Sequence, residues 1–195
     1  MILHKVNNLT FRRAMFKKNE EHISFENVVN QLKNDFVECK INNGTDYVID
    51  KSFRKGKQEW SYGYCANFDN KIVEQIHMLH PNWIIHPVRF SLLSYEIGDF
   101  FKPHCDHNQG VRESNGKKFK HVATILILPP MYLHEHEGGE LILYLNNNIK
   151  TIKATNNWTI LIFELGIVHA VTELKSGHRY VFKGEIYERI DLFQC

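Results

Sequence analysis

The strongest constraint on this chain is a series of short apolar segments, punctuated by Gly, Pro and Asn, running from residue 84 to residue 190. They read "IIHPVRFSLLSYEIG", "HVATILILPP", "GGELILYL", "NIKTIKA", "WTILIFEL", "HAVTEL" and "HRYVFKGEIY". Each has the length of a strand, is rich in β-branched and aromatic residues, and is bounded by turn formers. A set of short strands at such spacing buries its apolar faces by folding into a sandwich or jelly roll.

Upstream of this region the pattern changes. "SFENVVNQLKNDFVEC" (24 to 39) follows a Ser24 cap with Phe25, Val28, Val29, Leu32 and Phe36 at helical spacing. "DNKIVEQIHMLHP" (69 to 81) starts at Asp69, aligns Ile72, Val73, Ile76 and Leu79, and stops at Pro81. "DYVID" (46 to 50) suits a short strand between them. The expected fold is mainly β with flanking helices (α+β), the N-terminal helices buttressing one sheet. A 195-residue chain with 43% hydrophobic residues encloses one core. A single domain is therefore expected over 1–195, with residues 1–83 as helical and mixed support and 84–190 as the β core.

Charge argues for no global partner. The 24 basic and 22 acidic residues leave a net charge of +2, so no overall field draws nucleic acid or an anionic membrane. The clusters "FRRAMFKK", "KSFRKGK" and "GKKFK" read as solvated faces. Cys39, Cys65, Cys105 and Cys195 show no paired spacing, and "MILHKVNNLTFRR" lacks the apolar core of a signal peptide. No run approaches the roughly 18 apolar residues of a spanning helix. A cytoplasmic setting without a membrane partner is expected, and the oligomeric state is not encoded in these patterns.

The chemistry concentrates in "YEIGDFFKPHCDHNQG" (95 to 110). In extended backbone, residues two apart face the same side, so His104 and Asp106 present a nitrogen and a carboxylate to one point. His169, between "WTILIFEL" and the rest of "HAVTEL", offers a third ligand. Two histidines and one carboxylate form the facial set of non-haem Fe(II) oxygenases, and zinc can take the same ligands for hydrolytic work. Arg179 separates these alternatives. A guanidinium near a metal needs an anion, and the far carboxylate of a dicarboxylic acid such as 2-oxoglutarate fits it.

Four segments carry a family likeness: "LLSYEIGDFFKPHCD" (92 to 106), "HEGGEL" (136 to 141), "WTILIFELGIVHAV" (158 to 171) and "SGHRYVFKGEIY" (176 to 187). Together they resemble the Fe(II)- and 2-oxoglutarate-dependent dioxygenases, in their prolyl 4-hydroxylase-like branch, built on a double-stranded β-helix. The resemblance implies His104, Asp106 and His169 as iron ligands and Arg179 as the holder of the distal carboxylate of 2-oxoglutarate, with Tyr95 near the cosubstrate. The branch often has a polar or tyrosine side chain late in the strand that reads "TILIL" here (124 to 128). This stretch is apolar after Thr124, which is the residue available to substitute.

The cofactors implied are Fe(II), 2-oxoglutarate and O2, with ascorbate as reductant. The reaction implied is hydroxylation of a prolyl or other residue of a protein or peptide, with release of succinate and CO2. Oxidative demethylation of nucleic acid, hydroxylation of a small molecule, and a non-catalytic jelly-roll binding module are the alternatives. Lys183, on the same strand face as Arg179, is a second candidate for the carboxylate. His107 is expected to face a lid or solvent, "HEHE" (134 to 137) to form a solvated turn, and Gly138 with Gly139 to serve backbone geometry. The polar stretch 107 to 120 is expected to be a loop and a candidate lid.

Overall fold

The computed structural model describes residues 2–6, 29–30, 34–42, 45–61, 77–78, 80–106, 110–114, 116–146 and 148–190. Its strands, in chain order, are β1 (Ile2–Val6), β2 (Val37–Glu38), β3 (Ile41–Asn42), β4 (Tyr47–Val48), β5 (Lys57–Ser61), β6 (Trp83–Tyr95), β7 (Phe101–His104), β8 (Val111–Ser114), β9 (Lys117–Leu128), β10 (His136–Gly138), β11 (Leu141–Leu145), β12 (Asn148–Ile152), β13 (Trp158–Glu164), β14 (Val168–Val171), β15 (Leu174–Gly177) and β16 (Arg179–Arg189). A 3-10 turn, Met131–Leu133, follows β9. Every expected segment from 84 onward contributes a strand.

The large sheet runs β1-β13-β9-β16-β6-β5-β2, with β8 added on β9; a four-stranded sheet, β12-β11-β14-β7, faces it. Small pairs β10-β15 and β3-β4 complete the framework. The core lies between the two large layers. Leu93, Tyr95, Leu126, Leu128, Leu161, Phe163 and Val181 from one sheet meet Leu141, Leu143, Ile152 and Val171 from the other. The alternation that selects these residues is the two-residue period of a strand. Leu92, Ile125, Ile127, Ile160 and Ile162, on the other face of the large sheet, are also buried, so both faces are shielded from water.

Pro87 lies inside β6, where it cannot donate to a ladder. The register accommodates it: Ile85 faces Ile186 and Phe90 faces Gly184, with a slip between them. From β6 the chain turns sharply into β7. Glu96 N–H donates to Asp99 Oδ2 at 2.8 Å, Gly98 takes φ +84°, and Gly98 and Asp99 exchange backbone bonds with Leu174. This pinned turn sets where the strand carrying His104 begins.

The N-terminal part departs from expectation. The helix expected over 24–39 is described at Val29–Asn30, which are helical, and from Asn34 onward, where Val37–Glu38 is strand, paired with Gln58 and Lys57. That pairing, together with Cys39 N–H on the Gly56 carbonyl at 2.9 Å, overrides the local helical pattern. The helix expected over 69–81 is described only at His77–Met78, which are helical, and from His80 onward. Among the described residues no α-helix of a full turn buttresses a sheet. "DYVID" does supply a strand, β4. Ile2–Val6, not anticipated as a strand, pairs with β13 along its whole length. The stretch 107–120 is not a loop throughout: Val111–Ser114 and Lys117–Lys120 pair as a hairpin around Gly116, and residues 107–109 and 115 lie outside the described residues.

Candidate metal centre

Antiparallel pairing of β14 with β7 sets His169 opposite His104. Their rings sit 4.2 Å apart, and Asp106 follows two residues beyond His104. One ligand atom from each of His104, Asp106 and His169 falls within 4.8 Å of the other two. Among the described residues this is the group of three that can hold a metal ion.

Both rings are fixed by the same device. His104 Nδ1 donates to the Lys102 carbonyl at 2.8 Å, and His169 Nδ1 donates to the Ile167 carbonyl at 3.0 Å. Each bond places the proton on Nδ1 and leaves the Nε2 lone pair for a metal. Phe101 stacks on His104 at 3.4 Å and Phe163 meets His169 edge-on at 4.8 Å, which limits ring rotation. Burial, with His169 beside it, lowers the His104 pKa to about 3, and burial likewise lowers that of His169. Both are therefore neutral at pH 7.

Asp106 is held at both oxygens. Lys183 Nζ donates to Oδ1 at 2.7 Å and the Thr124 hydroxyl donates to Oδ2. Burial pushes this carboxyl up, but the Lys183 ammonium, His169 and the two hydrogen bonds outweigh it and hold the group below the usual carboxylate range. Two neutral imidazoles and one ionised carboxylate are the donor set that suits Fe(II). Lys183, considered above for a cosubstrate carboxylate, is instead engaged with Asp106. Thr124, also considered for the cosubstrate, gives its hydroxyl to the same ligand.

Arg179 opens β16 directly opposite Tyr95. Its guanidinium lies 5.0 Å from the Tyr95 ring centroid, and both residues are buried. Gly139 makes room for it: a Cβ there would come within 2.7 Å of Arg179 Cδ. No carboxylate among the described residues forms an ion pair with Arg179, so a buried cation faces the core awaiting an anion. This observation fits the distal carboxylate of 2-oxoglutarate.

A cavity of about 790 Å³ opens beside the ligands. Its wall includes His104, Asp106, Arg54, Phe101, His121 and Lys183. Arg54 was missed from sequence because it sits in the basic cluster "KSFRKGK", expected to be solvated; Lys51 and Lys55 are exposed, but Arg54 is buried. "HEHE" is likewise not a simple solvated turn. His134 is buried with Nε2 on the Pro129 carbonyl, and His136 begins β10. It does not join the metal group. Gly138 and Gly139 serve backbone geometry, both at positive φ. His107 lies outside the described residues.

Comparison with known proteins agrees with this geometry. Residues 90–187 match the family described as the 2OG-Fe(II) oxygenase superfamily. The fold is similar to a prolyl hydroxylase from Trichoplax adhaerens, solved with a hypoxia inducible factor peptide fragment, at TM-score 0.57 and 16% identity, covering 83% of this chain and 74% of that one. It is also similar to a Pseudomonas putida prolyl-4-hydroxylase at TM-score 0.52 and 13% identity, covering 83% of this chain and 81% of that one. At these identities the likeness concerns the fold. No curated protein matches the sequence. The family uses Fe(II), 2-oxoglutarate and O2, and His104, Asp106 and His169 can bind the iron. The chain belongs to the 2OG-Fe(II) oxygenase superfamily and is a dioxygenase of prolyl hydroxylase-like fold.

Proposed function

We propose that the protein hydroxylates a residue of a protein or peptide, a prolyl residue foremost, while 2-oxoglutarate and O2 become succinate and CO2. The oxygen atoms of O2 then divide between the new hydroxyl and succinate. Bound Fe(II) and 2-oxoglutarate supply the oxidising chemistry. The chain supplies the holding groups. His104 and His169 offer Nε2, Asp106 offers its carboxylate, and Arg179 takes the distal carboxylate beside Tyr95. The buried layer of Leu93, Leu126, Leu143 and Phe163 keeps water away from that end.

The observation that carries the peptide reading is the cavity. It runs from His104 and Asp106 past Phe101 and Pro103 to Ile41 and Tyr47, residues of the small β3-β4 pair. Tyr47 is exposed, so the wall continues to the surface and suits an extended segment better than an enclosed metabolite. The basic group weighed for nucleic acid, Arg112, Lys117, Lys118 and Lys120, lies on the β8-β9 hairpin, and its three lysines do not line the cavity, which weighs against nucleic acid. The same holds for the lid expected over 107–120: none of its described residues lines the cavity.

Cys39 and Cys105 carry free thiols, which supports a reducing, cytoplasmic setting. One domain over 1–195 remains our reading of the organisation.

The test is 2-oxoglutarate turnover by wild type and His169→Ala, loaded anaerobically with Fe(II) and then exposed to oxygen with prolyl peptides, alkylated oligonucleotides and free amino acids. Succinate from wild type alone, with a peptide gaining one oxygen by mass, is expected. Stimulation by oligonucleotides instead would replace the peptide reading. Metal and 2-oxoglutarate binding without succinate would favour a binding module.

A further inference from the structure

Arg54 is 9% exposed, and among the described residues it forms no ion pair. Nη1 donates to the Lys40 carbonyl at 3.2 Å, and Cζ sits 4.4 Å from the Phe101 ring centroid. Tyr95 adds a further polar contact, through its hydroxyl. Nε is buried with no hydrogen-bond partner. A guanidinium that is taken out of water and left without an anion is costly unless a ligand supplies one.

The backbone delivers Arg54 to this place deliberately. Asp50 accepts from Ser52 N–H and Oγ through its side chain, and its carbonyl accepts from Phe53 and Arg54 N–H, closing a tight turn. Lys55 N–H then donates to the Phe100 carbonyl and Lys102 N–H to the Phe53 carbonyl, while Arg54 bridges Phe101. Gly56, at φ +145°, lets the segment pass the Tyr95 ring, where a Cβ would sit 3.3 Å from Cε1. The residue that carries His104 in its stack, Phe101, therefore also carries Arg54.

The charges of the cavity point the same way. Lys183 is matched by Asp106, Glu185 accepts from the Tyr187 hydroxyl, and His121 is neutral because burial lowers its pKa. Arg179 is not part of the wall, whereas Arg54 is. Lys40, another cation of the wall, is exposed to water. If Arg179 takes the distal carboxylate of 2-oxoglutarate, and iron held by His104, Asp106 and His169 takes its 2-oxo acid end, Arg54 is the buried cation of the wall that remains over.

We propose that Arg54 binds a second carboxylate entering this cavity, separate from the one at Arg179. An acidic side chain of the substrate, flanking the residue to be hydroxylated, is the source that the open position favours. The inference rests on the oxygenase reading above.

The experiment uses the full chain, metal-loaded without oxygen, as wild type, Arg54→Met and Arg54→Lys. Binding of 2-oxoglutarate and of 2-oxobutyrate, which lacks the distal carboxylate, is measured by calorimetry. Binding of paired peptides, Glu-Ala-Pro-Ala-Glu and Gln-Ala-Pro-Ala-Gln with blocked ends, is measured on the loaded protein. Wild type is expected to prefer the Glu peptide by about tenfold, Arg54→Met to lose the preference, and Arg54→Lys to keep part of it. Weakening of 2-oxoglutarate but not 2-oxobutyrate in Arg54→Met would place Arg54 on the same distal carboxylate as Arg179 and overturn the proposal of a separate one. No carboxylate-dependent difference in either arm would make Arg54 a packing residue on Phe101 and overturn the proposal. A wild type that fails to bind 2-oxoglutarate would sink the oxygenase reading itself, a result seen without any variant.

Discussion

Lys183 Nζ lies 2.7 Å from Oδ1 of Asp106, so an ammonium rests on the carboxylate of the metal group. It has two opposed effects. It keeps the buried carboxyl ionised, and it repels a divalent cation. Lys183→Met removes both. Burial then raises the Asp106 pKa, and protons compete with metal at a higher pH. The acid limb of Zn(II) or Co(II) binding, followed by calorimetry, is expected to move up by about one pH unit. At pH 8, where the carboxylate is ionised either way, affinity is expected to be retained or increased. An unmoved acid limb would show that Lys183 does not govern Asp106.

Thr124 acts on the other oxygen. It is fully buried, and its hydroxyl donates to Asp106 Oδ2. Thr124→Val keeps the shape and removes the donor, leaving Lys183 to orient the carboxylate alone. Loss of an outer partner of a metal ligand costs about tenfold in metal affinity or more. Competition with a chelating dye should show that loss with the unfolding midpoint little changed; an equal fall in both would mean that Thr124 serves the core rather than the ligand.

The buried histidines give the metal-free protein an acid weakness. Burial lowers His104 to about 3 and His134 to about 4 from a reference of 6.5. The unfolded chain therefore binds more protons between those values, and stability falls as pH drops from 6.5 toward 4. Urea unfolding of metal-free protein should show the midpoint declining over that window. His104→Gln is expected to flatten the decline, because it removes one of the groups that must stay neutral to remain buried. A slope identical to wild type would mean that His104 is protonated in the folded state.

The β core was legible because its signal is local. "WTILIFE" forms β13 and "LILYL" forms β11 with the period and length that their sequences imply. The metal group was legible for a different reason: His and Asp are scarce inside apolar strands, and His104, Asp106 and His169 sit at strand ends. What was missed depends on distant pairing. Ile2–Val6 is a strand because β13 accepts it, and Val37–Glu38 escapes the helical pattern because Gln58 and Lys57 pair with it. Arg54 sits among four basic or aromatic neighbours, Lys51, Phe53, Lys55 and Lys57, and distant pairing, the bridge to Phe101 with its flanking backbone bonds, brings it indoors. Lys183 could be placed on the face of Arg179, but its choice of Asp106 follows from the approach of β7 to β16, which no spacing encodes.

The Gly138-Gly139 pair separates stability from cosubstrate binding. At Gly138, φ is +80° and a Cβ would meet the Glu173 carbonyl oxygen at 2.3 Å, so the obstacle is backbone. At Gly139, φ is +68° and the nearest atom is Arg179 Cδ at 2.7 Å, so the obstacle is the side chain meant for the carboxylate. Gly138→Ala must displace β15, with which β10 pairs, and strain of about 1–3 kcal/mol in the backbone alone is expected to lower the unfolding midpoint. Gly139→Ala carries comparable left-handed strain and in addition pushes the guanidinium aside. Its 2-oxoglutarate affinity, measured on metal-loaded protein, is therefore expected to fall further than its stability predicts. Gly138→Ala, which does not touch Arg179, provides the reference: equal loss of 2-oxoglutarate binding in the two variants at matched stability would show that Gly139 makes no particular room for Arg179.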